Sequence, residues 1–481
     1  MSSPGSKTYD AVVIGSGPNG FAAAITLAQW GKAVLLLEAK DTVGGGMRSA
    51  ELTLPGFLHD VCSAIHPLGA TSPFFRGLPL KEHGLEFVHP DAPLAHPLDD
   101  GRCAVLERSL EATAASLGED GDAYRKLLAP LSRNPEPLFD ELLAPFHIPR
   151  QPFRMAGFGL KAIRSAVGLA HAKFKGDLAR ALFAGNAAHS ILPLEKPLTA
   201  AVGMILMLSG HVFGWPVARG GSGRIAAALD SYFRSLGGEV RTGHPVWSMK
   251  DLPPARAYLS DVSPRNLATI AGDQLPSGFA MKLHRYRHGP AAFKLDWALS
   301  QPIPWKNPAC LRAATVHVGG TIDQIAESER AAWTSEPSPR PFILVGQQSL
   351  FDRTRVPAGD DRKQTGWAYC HVPNGYGGDM TDVIEAQIER FAPGFRDTIL
   401  VRRATRPAEF EAYNANYVGG DIVGGVQDAT QLFTRPTARL SPYTTPNPSI
   451  YICSASTPPG AGVHGMCGYH AAHAALKRAL R

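Results

Sequence analysis

The strongest chemical signal in the sequence comes from three glycines and one carboxylate. Gly15, Gly17 and Gly20 stand in the string GSGPNG, between the apolar run Ala11–Ile14 and the alanine-rich stretch FAAAITLAQWG. Gly15 permits a tight turn off a strand. Gly17 leaves room for a pyrophosphate to approach the backbone, and Gly20 lets helix and strand pack closely. The helix start at Pro18 and Asn19 would offer free N–H groups and the positive end of the helix dipole to phosphates. Glu38 follows Gly20 by eighteen residues, at the end of a second apolar run, Ala33–Leu37. A carboxylate there accepts hydrogen bonds from ribose hydroxyls and repels a 2′-phosphate. A lone GxGxxG is weak, but strand, helix, second strand and terminal acid together predict a dinucleotide site.

Other chemistries have no comparable signal. There is no HExxH and no Ser–His–Asp pattern, and the 17 histidines are scattered, so no metal site is expected. RGGSGR at 219–224 precedes a helix pattern but has a different glycine spacing, so a separate NAD(P) domain is not predicted. The six cysteines (62, 103, 310, 370, 453, 467) include no CxxC pair. That argues against a disulfide-reductase dithiol and for a reducing compartment. The start MSSPGSKTYD has no apolar signal core, which argues for a cytoplasmic protein.

The elements that must position such a site need a large chain, and 481 residues suffice for two or three domains. Apolar residues are 44% of the chain, enough for an ordinary globular core. The net charge of +6 matches one segment, 150–180, where Arg150, Arg154, Lys161, Arg164, Lys173, Lys175 and Arg180 face one acid, Asp177. The rest is balanced, which argues against nucleic acid as a partner. In that segment Leu160, Ile163 and Val167 have the spacing of one helix face. It could rest on an anionic membrane and draw apolar substrate from it, or be an ordinary surface helix packed on its domain. Pro197–Ala218 carries no charged side chain, but Gly210, Gly214 and Pro216 interrupt it. It reads as a buried helix and a loop rather than a membrane span.

The continuation after Glu38 and Ala39, VGGGMRS with Gly45, Gly46, Met47 and Arg48, resembles the second glycine motif of the flavin amine oxidase superfamily. With CSAIHPLG, GWPVARGGSGRIAAAL, HVPNGYGGDM, EAQIERFAPGFRD, NYVGGDIVGG and STPPGAGVHGM, the chain is similar to the phytoene desaturase and carotenoid isomerase group of FAD oxidoreductases. Within it, the resemblance is to the branch of pyridine nucleotide-disulfide oxidoreductase domain-containing protein 2, and it spans nearly the whole sequence. The implied fold is α/β: a Rossmann-like FAD-binding domain of the glutathione-reductase/amine-oxidase type, with an α+β substrate domain on a mixed sheet. The FAD domain is expected to be discontinuous (1–75, 215–270 and 435–481). The substrate domain takes 76–214 and 271–434.

The resemblance also implies site residues. The glycines of the second motif would contact FAD near its pyrophosphate and ribityl chain, and Val246 would be a strand residue that meets the adenine through its backbone. Gly462, Val463, His464, Gly465 and Met466 would lie near the flavin ring, at the start of an alanine-rich terminal helix. Ser456 stands where many relatives have Asp, so only a weaker hydroxyl contact is expected there. AFKLDWALSQPIPW resembles the amine-oxidase segment whose lysine is water-bridged to the flavin, which makes Lys294 a catalytic candidate; the alternative is a strand-end lysine in solvent. His464 and His66 are the other catalytic candidates, with structural histidines as the alternative, and Tyr417 and Tyr469 could line the pocket. The implied activity is dehydrogenation or isomerisation of an apolar isoprenoid- or polyene-like substrate by hydride transfer to FAD, with O2 or a quinone as electron acceptor. Two other readings are an amine-oxidase-like reaction and an FAD-bound scaffold without turnover. The oligomeric state is left open.

Overall fold

A computed structural model describes residues 8–481. The GSGPNG region folds as its residue types dictate. The strand Tyr9–Ile14 leads into helix Pro18–Gln29, which closes at Gly31 (φ 69°), a left-handed position suited to glycine. A side chain at Gly20 would fall on the Gly15 carbonyl oxygen, and one at Gly468 on the Asn19 carbonyl oxygen. Those two glycines let the first helix pack on its strand and on the terminal helix Met466–Arg478.

Two sheets organise the chain. The first is parallel and five-stranded, in the order Ile450–Ile452, Ala255–Ser260, Tyr9–Ile14, Val34–Leu37, Glu239–Arg241. Val13 and Leu36 of its inner strands are buried under the first and terminal helices, and Val12 and Leu35 on the opposite face under Val246 and Leu252. The second has seven strands: Ile399–Thr405, Ala291–Leu299, Gln364–Val372, Ile343–Gly346, Thr315–Val318, Leu94–Pro97, Cys103–Leu106. It is mixed, being antiparallel except where Thr315–Val318 meets Leu94–Pro97. Every strand of the first sheet comes from 1–75, 215–270 or 435–481. Every strand of the second comes from 76–214 or 271–434.

The two faces of the larger sheet differ. Leu295, Trp297, Val316, Val345, Ala368 and Cys370 share one face and enter a single apolar core. Lys294, Asp296, Thr315, His317, Trp367 and Tyr369 pair across the same strands on the other face. Helices Pro135–Leu142 and Thr199–Val212 lie over that polar face without sealing against it. Thr199–Val212 is largely buried, and no helix among the described residues is long and apolar enough to cross a membrane.

The segment 150–180 differs from its expected single helix face. Pro152–Ala162 and Ala166–Lys173 are separate helices, because Ser165 caps the second by accepting the Gly168 N–H at 3.1 Å. Leu160 and Ile163 are exposed, and Val167 belongs to the next helix. Phe146, Ile148 and Phe153 are exposed beside them, each at about 90%.

The two halves of the molecule are pinned by a buried ion network. Arg355 donates to Asp60 at 2.7 Å, to Asp352 at 3.0 Å and to the Ala218 carbonyl at 2.9 Å. Its guanidinium holds the buried Asp60 carboxyl below the usual range.

Candidate functional site

One large cavity, of about 890 Å3, runs between the two sheets. One end follows the carboxyl ends of the parallel strands, where α/β folds gather ligands. Gly15, Gly17, Pro18 and Asn19 line it, and the helix N-terminus at Gly17 has no side-chain cap. Glu38 and Ala39 line it from the next strand, and Gly45, Gly46 and Arg48 from the second glycine turn. Val246 lines the far wall, but from the loop beyond Glu239–Arg241 rather than from a strand, because that edge strand ends after three residues. Ser456, Gly462, Val463 and His464 line the opposite side. Gly20, Met47, Gly465 and Met466 stand behind this surface and shape it from within, Met47 fully buried.

Glu38 is already engaged. Ser16 donates to its Oε2 through both its N–H and its hydroxyl, while the Lys40 N–H (2.9 Å) and the Arg48 guanidinium (3.0 Å) meet Oε1. Arg48 is thereby drawn to Glu38 and to the Gly45 and Thr42 carbonyls. The Ser456 hydroxyl donates to the Gly424 carbonyl at 2.9 Å.

Sequence reasoning missed Asp261 at this end. It follows the strand Ala255–Ser260, and its Oδ2 accepts the Gly20 N–H at 2.9 Å. A Cβ at Gly17 would approach that oxygen to 2.7 Å. Burial, with Glu38 nearby, pushes the carboxyl up to about 7 against the pull of the Gly20 N–H. Its signal was positional: an acid directly after an apolar strand, as with Glu38.

The three catalytic candidates are not brought together as one cluster. His464 accepts the Met466 N–H on Nδ1 (3.0 Å), leaving Nε2 to donate to the Gly460 carbonyl (3.2 Å). It caps the terminal helix, and burial lowers it to about 4, so it is neutral. His66 also lines the cavity and is lowered to about 4 by burial. Its Nε2 meets the Ser222 hydroxyl at 2.9 Å, and its Nδ1 has no partner. Lys294 is neither strand-end nor in solvent: it is 1% exposed, mid-strand, and 2.5 Å from Asp296. It stands behind the cavity lining, with Trp367 beside its ammonium. Burial pushes Asp296 up to about 6 despite that ammonium. Tyr417 lines the cavity, whereas Tyr469 packs on Phe74 and His473.

The other end of the cavity is a chamber between the polar face of the seven-stranded sheet and its covering helices. Phe139, Leu142, Val202, Ile205 and Leu206 line it from the helices; Thr315, Leu344, Trp367 and Tyr369 line it from the sheet, beside His189 and Trp215. Among the described residues the cavity's charged lining is Glu38, Lys40, Arg48 and Asp261, all at the glycine end. None of the chamber residues was singled out from sequence, since they come from segments far apart in the chain.

Comparisons with known proteins agree with this geometry. Residues 13–78 match the NAD(P)-binding Rossmann-like domain. Over 97% of its length the chain is 24% identical to pyridine nucleotide-disulfide oxidoreductase domain-containing protein 2 of Rattus norvegicus, covering 93% of that protein. A shorter match, 27% identical over 125 residues, is to a limonene dehydrogenase polypeptide of Castellaniella defragrans, spanning 25% of this chain and 22% of that one. Among solved structures, a putrescine oxidase bound to putrescine superimposes with a TM-score of 0.60 at 15% identity, over 98% of both chains. The protein is therefore an α/β chain with a Rossmann-like dinucleotide-binding fold that matches amine oxidase structures, and it is similar in sequence to a pyridine nucleotide-disulfide oxidoreductase domain protein.

Proposed function

We propose that the protein is an FAD-dependent oxidoreductase of the phytoene desaturase-like kind, acting on an apolar, isoprenoid- or polyene-like substrate by dehydrogenation or double-bond isomerisation. The observation that carries this reading is the cavity itself, in which a glycine-lined dinucleotide groove opens into a chamber with no charged wall. An ammonium substrate would be buried there without a counter-charge, at a cost of several kcal/mol. The partial likeness to a limonene dehydrogenase polypeptide supports the isoprenoid class.

The groove fits FAD. The uncapped helix N-terminus at Gly17, the glycine contact between Gly17 and Gly45, and the buried, unpartnered Oδ1 of Asn19 form a cradle for a pyrophosphate. Glu38 would hold the ribose, the Val246 backbone the adenine, and the Gly462–His464 turn the ring. When bound, FAD supplies the acceptor for a hydride. Electrons would then pass to O2 or a quinone.

The chain's own residues orient the substrate and exclude water around it. Of the three candidates, His66 alone lines the cavity with a ring nitrogen that has no protein partner, and burial keeps that ring uncharged, which suits an apolar substrate. Lys294 serves from behind the lining, where it pairs with the buried Asp296. The exposed apolar surface around Phe153, Leu160 and Ile163, with the exposed Arg164 beside it, is the proposed contact with an anionic membrane.

The test is anaerobic addition of isoprenoids, polyenes and amines, each separately, to the flavin-loaded protein. Bleaching of the flavin band by an isoprenoid or polyene supports the reading, and so does a shifted double bond in the recovered product without bleaching. Bleaching by amines alone overturns it in favour of an amine oxidase. Purified protein that takes up no flavin overturns it altogether.

A further inference from the structure

The chamber is apolar in shape but not in every atom. Its sheet wall carries a group of polar side chains whose hydrogen-bonding capacity is unspent. The Thr315 hydroxyl and the Trp367 indole N–H are buried and have no partner. The Tyr369 hydroxyl makes no hydrogen bond among the described residues, and burial raises its pKa, so it keeps its proton. His189 spends Nε2 on His317 at 3.0 Å and retains Nδ1.

These groups are neighbours. Thr315 pairs with Gly346 and Gly346 with Trp367 on adjacent strands. Leu344 stands between His317 and Tyr369 in the same way. The Trp367 and Tyr369 rings meet edge to face at 5.2 Å. Gly346 contributes no side chain between Thr315 and Trp367, and the Trp367 ring and the Gln348 amide close on the space where one would stand.

Unpaired donors and acceptors in a buried wall are costly unless something satisfies them. The charges nearby are already committed: Lys294 to Asp296, and Glu329 to His371. Burial holds His189, at about 3, and His317 uncharged. The wall therefore offers neutral hydrogen bonds and no ion pair.

We propose that the chamber recognises a neutral polar head, a hydroxyl or carbonyl, on the apolar substrate, held by Tyr369 and His189. This deepens the functional reading above, because it rests on the apolar body lying in the same chamber. The ligand class is thereby an oxygenated isoprenoid rather than a pure hydrocarbon.

The experiment measures dissociation constants on the flavin-loaded protein, by intrinsic fluorescence, for geraniol, its deoxy hydrocarbon and geranylamine. Geraniol is expected to bind about tenfold tighter than the hydrocarbon, the worth of one or two well-placed neutral hydrogen bonds. In Tyr369→Phe that advantage should shrink to about twofold while the hydrocarbon's constant stays put.

Equal binding of alcohol and hydrocarbon overturns the proposal. So does tightest binding of the amine, a Tyr369→Phe loss shared equally by all three ligands, or no binding by any of them. The broader reading fails separately: if geraniol binds tightest yet neither bleaches the flavin anaerobically nor returns isomerised, head recognition stands and the proposed chemistry does not.

Discussion

At the glycine end of the cavity the polar atoms are mostly satisfied within the protein. Glu38 receives Ser16, Lys40 and Arg48, Ser456 is tied to Gly424, and Asp261 takes the Gly20 N–H. At the chamber end, Thr315 and Trp367 have no partners, and the nearest charges neutralise each other. On the proposed reading, the first end is preorganised by these bonds for one ligand of fixed chemistry. The second leaves its few polar groups to whatever enters. One fold can therefore keep a constant cofactor site while its substrate wall varies, since the two ends are made by different sheets.

That contrast can be broken at the glycine end first. Gly20→Val places a branched side chain against the Gly15 carbonyl. It should abolish flavin retention and cost more than about 3 kcal/mol of stability. Retained flavin with an unchanged melting temperature would mean that the close helix–strand contact is dispensable.

Arg355→Met removes the cation between Asp60 and Asp352 and leaves two buried carboxylates without it. A loss of about 3–5 kcal/mol is expected, read by urea denaturation. Early release of flavin in the same titration would show that this network holds the two ends in register.

Asp261 sharpens the comparison through pH. Its carboxyl is raised from 3.8 to about 7, so between those values the folded protein keeps a proton that the unfolded chain releases. Stability contributed by that proton is present at low pH and falls as pH rises to about 7. The ionised form also sits at the helix end meant for phosphates. Flavin affinity should therefore drop about tenfold from about pH 5 to about pH 8, and Asp261→Asn should flatten the profile. An unchanged slope in that variant assigns the effect to another group.

The smallest structural effect is expected on the exposed patch. Phe153 and Leu160 are 92% and 73% exposed. Replacing both by Asp should change stability by about 0.5 kcal/mol or less while abolishing co-sedimentation with anionic vesicles at low salt. Equal sedimentation of variant and parent would leave the patch without a lipid partner.

The glycine end was legible in the sequence because its parts are local. Strand, turn, helix and Glu38 fall within thirty residues of one another, and each residue type has a separate steric or electrostatic reason. The chamber was not legible, because Leu206, Thr315 and Trp367 meet only after two sheets have formed. The helix break at Ser165 was missed because a serine cap overrides an apolar spacing that continues across it. Lys294 was placed on a strand, but its burial followed from Asp296 two residues on, which faces the same way and neutralises it. Asp261 had no motif around it, and its role emerged only when Ala255–Ser260 came to lie beside the first strand.

The order of the five parallel strands bears on how the protein is made. The strand Ile450–Ile452, at one edge of the sheet, and the helix Met466–Arg478, packed on the first helix, are synthesised long after the first strand beside which they lie. The first strand waits for Ala255–Ser260 to gain its second neighbour and for the C-terminal segment to be covered. The nascent chain must therefore hold an apolar, half-paired sheet until residues 255–260 and 450–478 have been made. On the proposed reading, a cofactor cannot find its full site until residues 450–478 have been made, and chaperone dependence during translation is the expected cost of building a nucleotide site from three distant pieces.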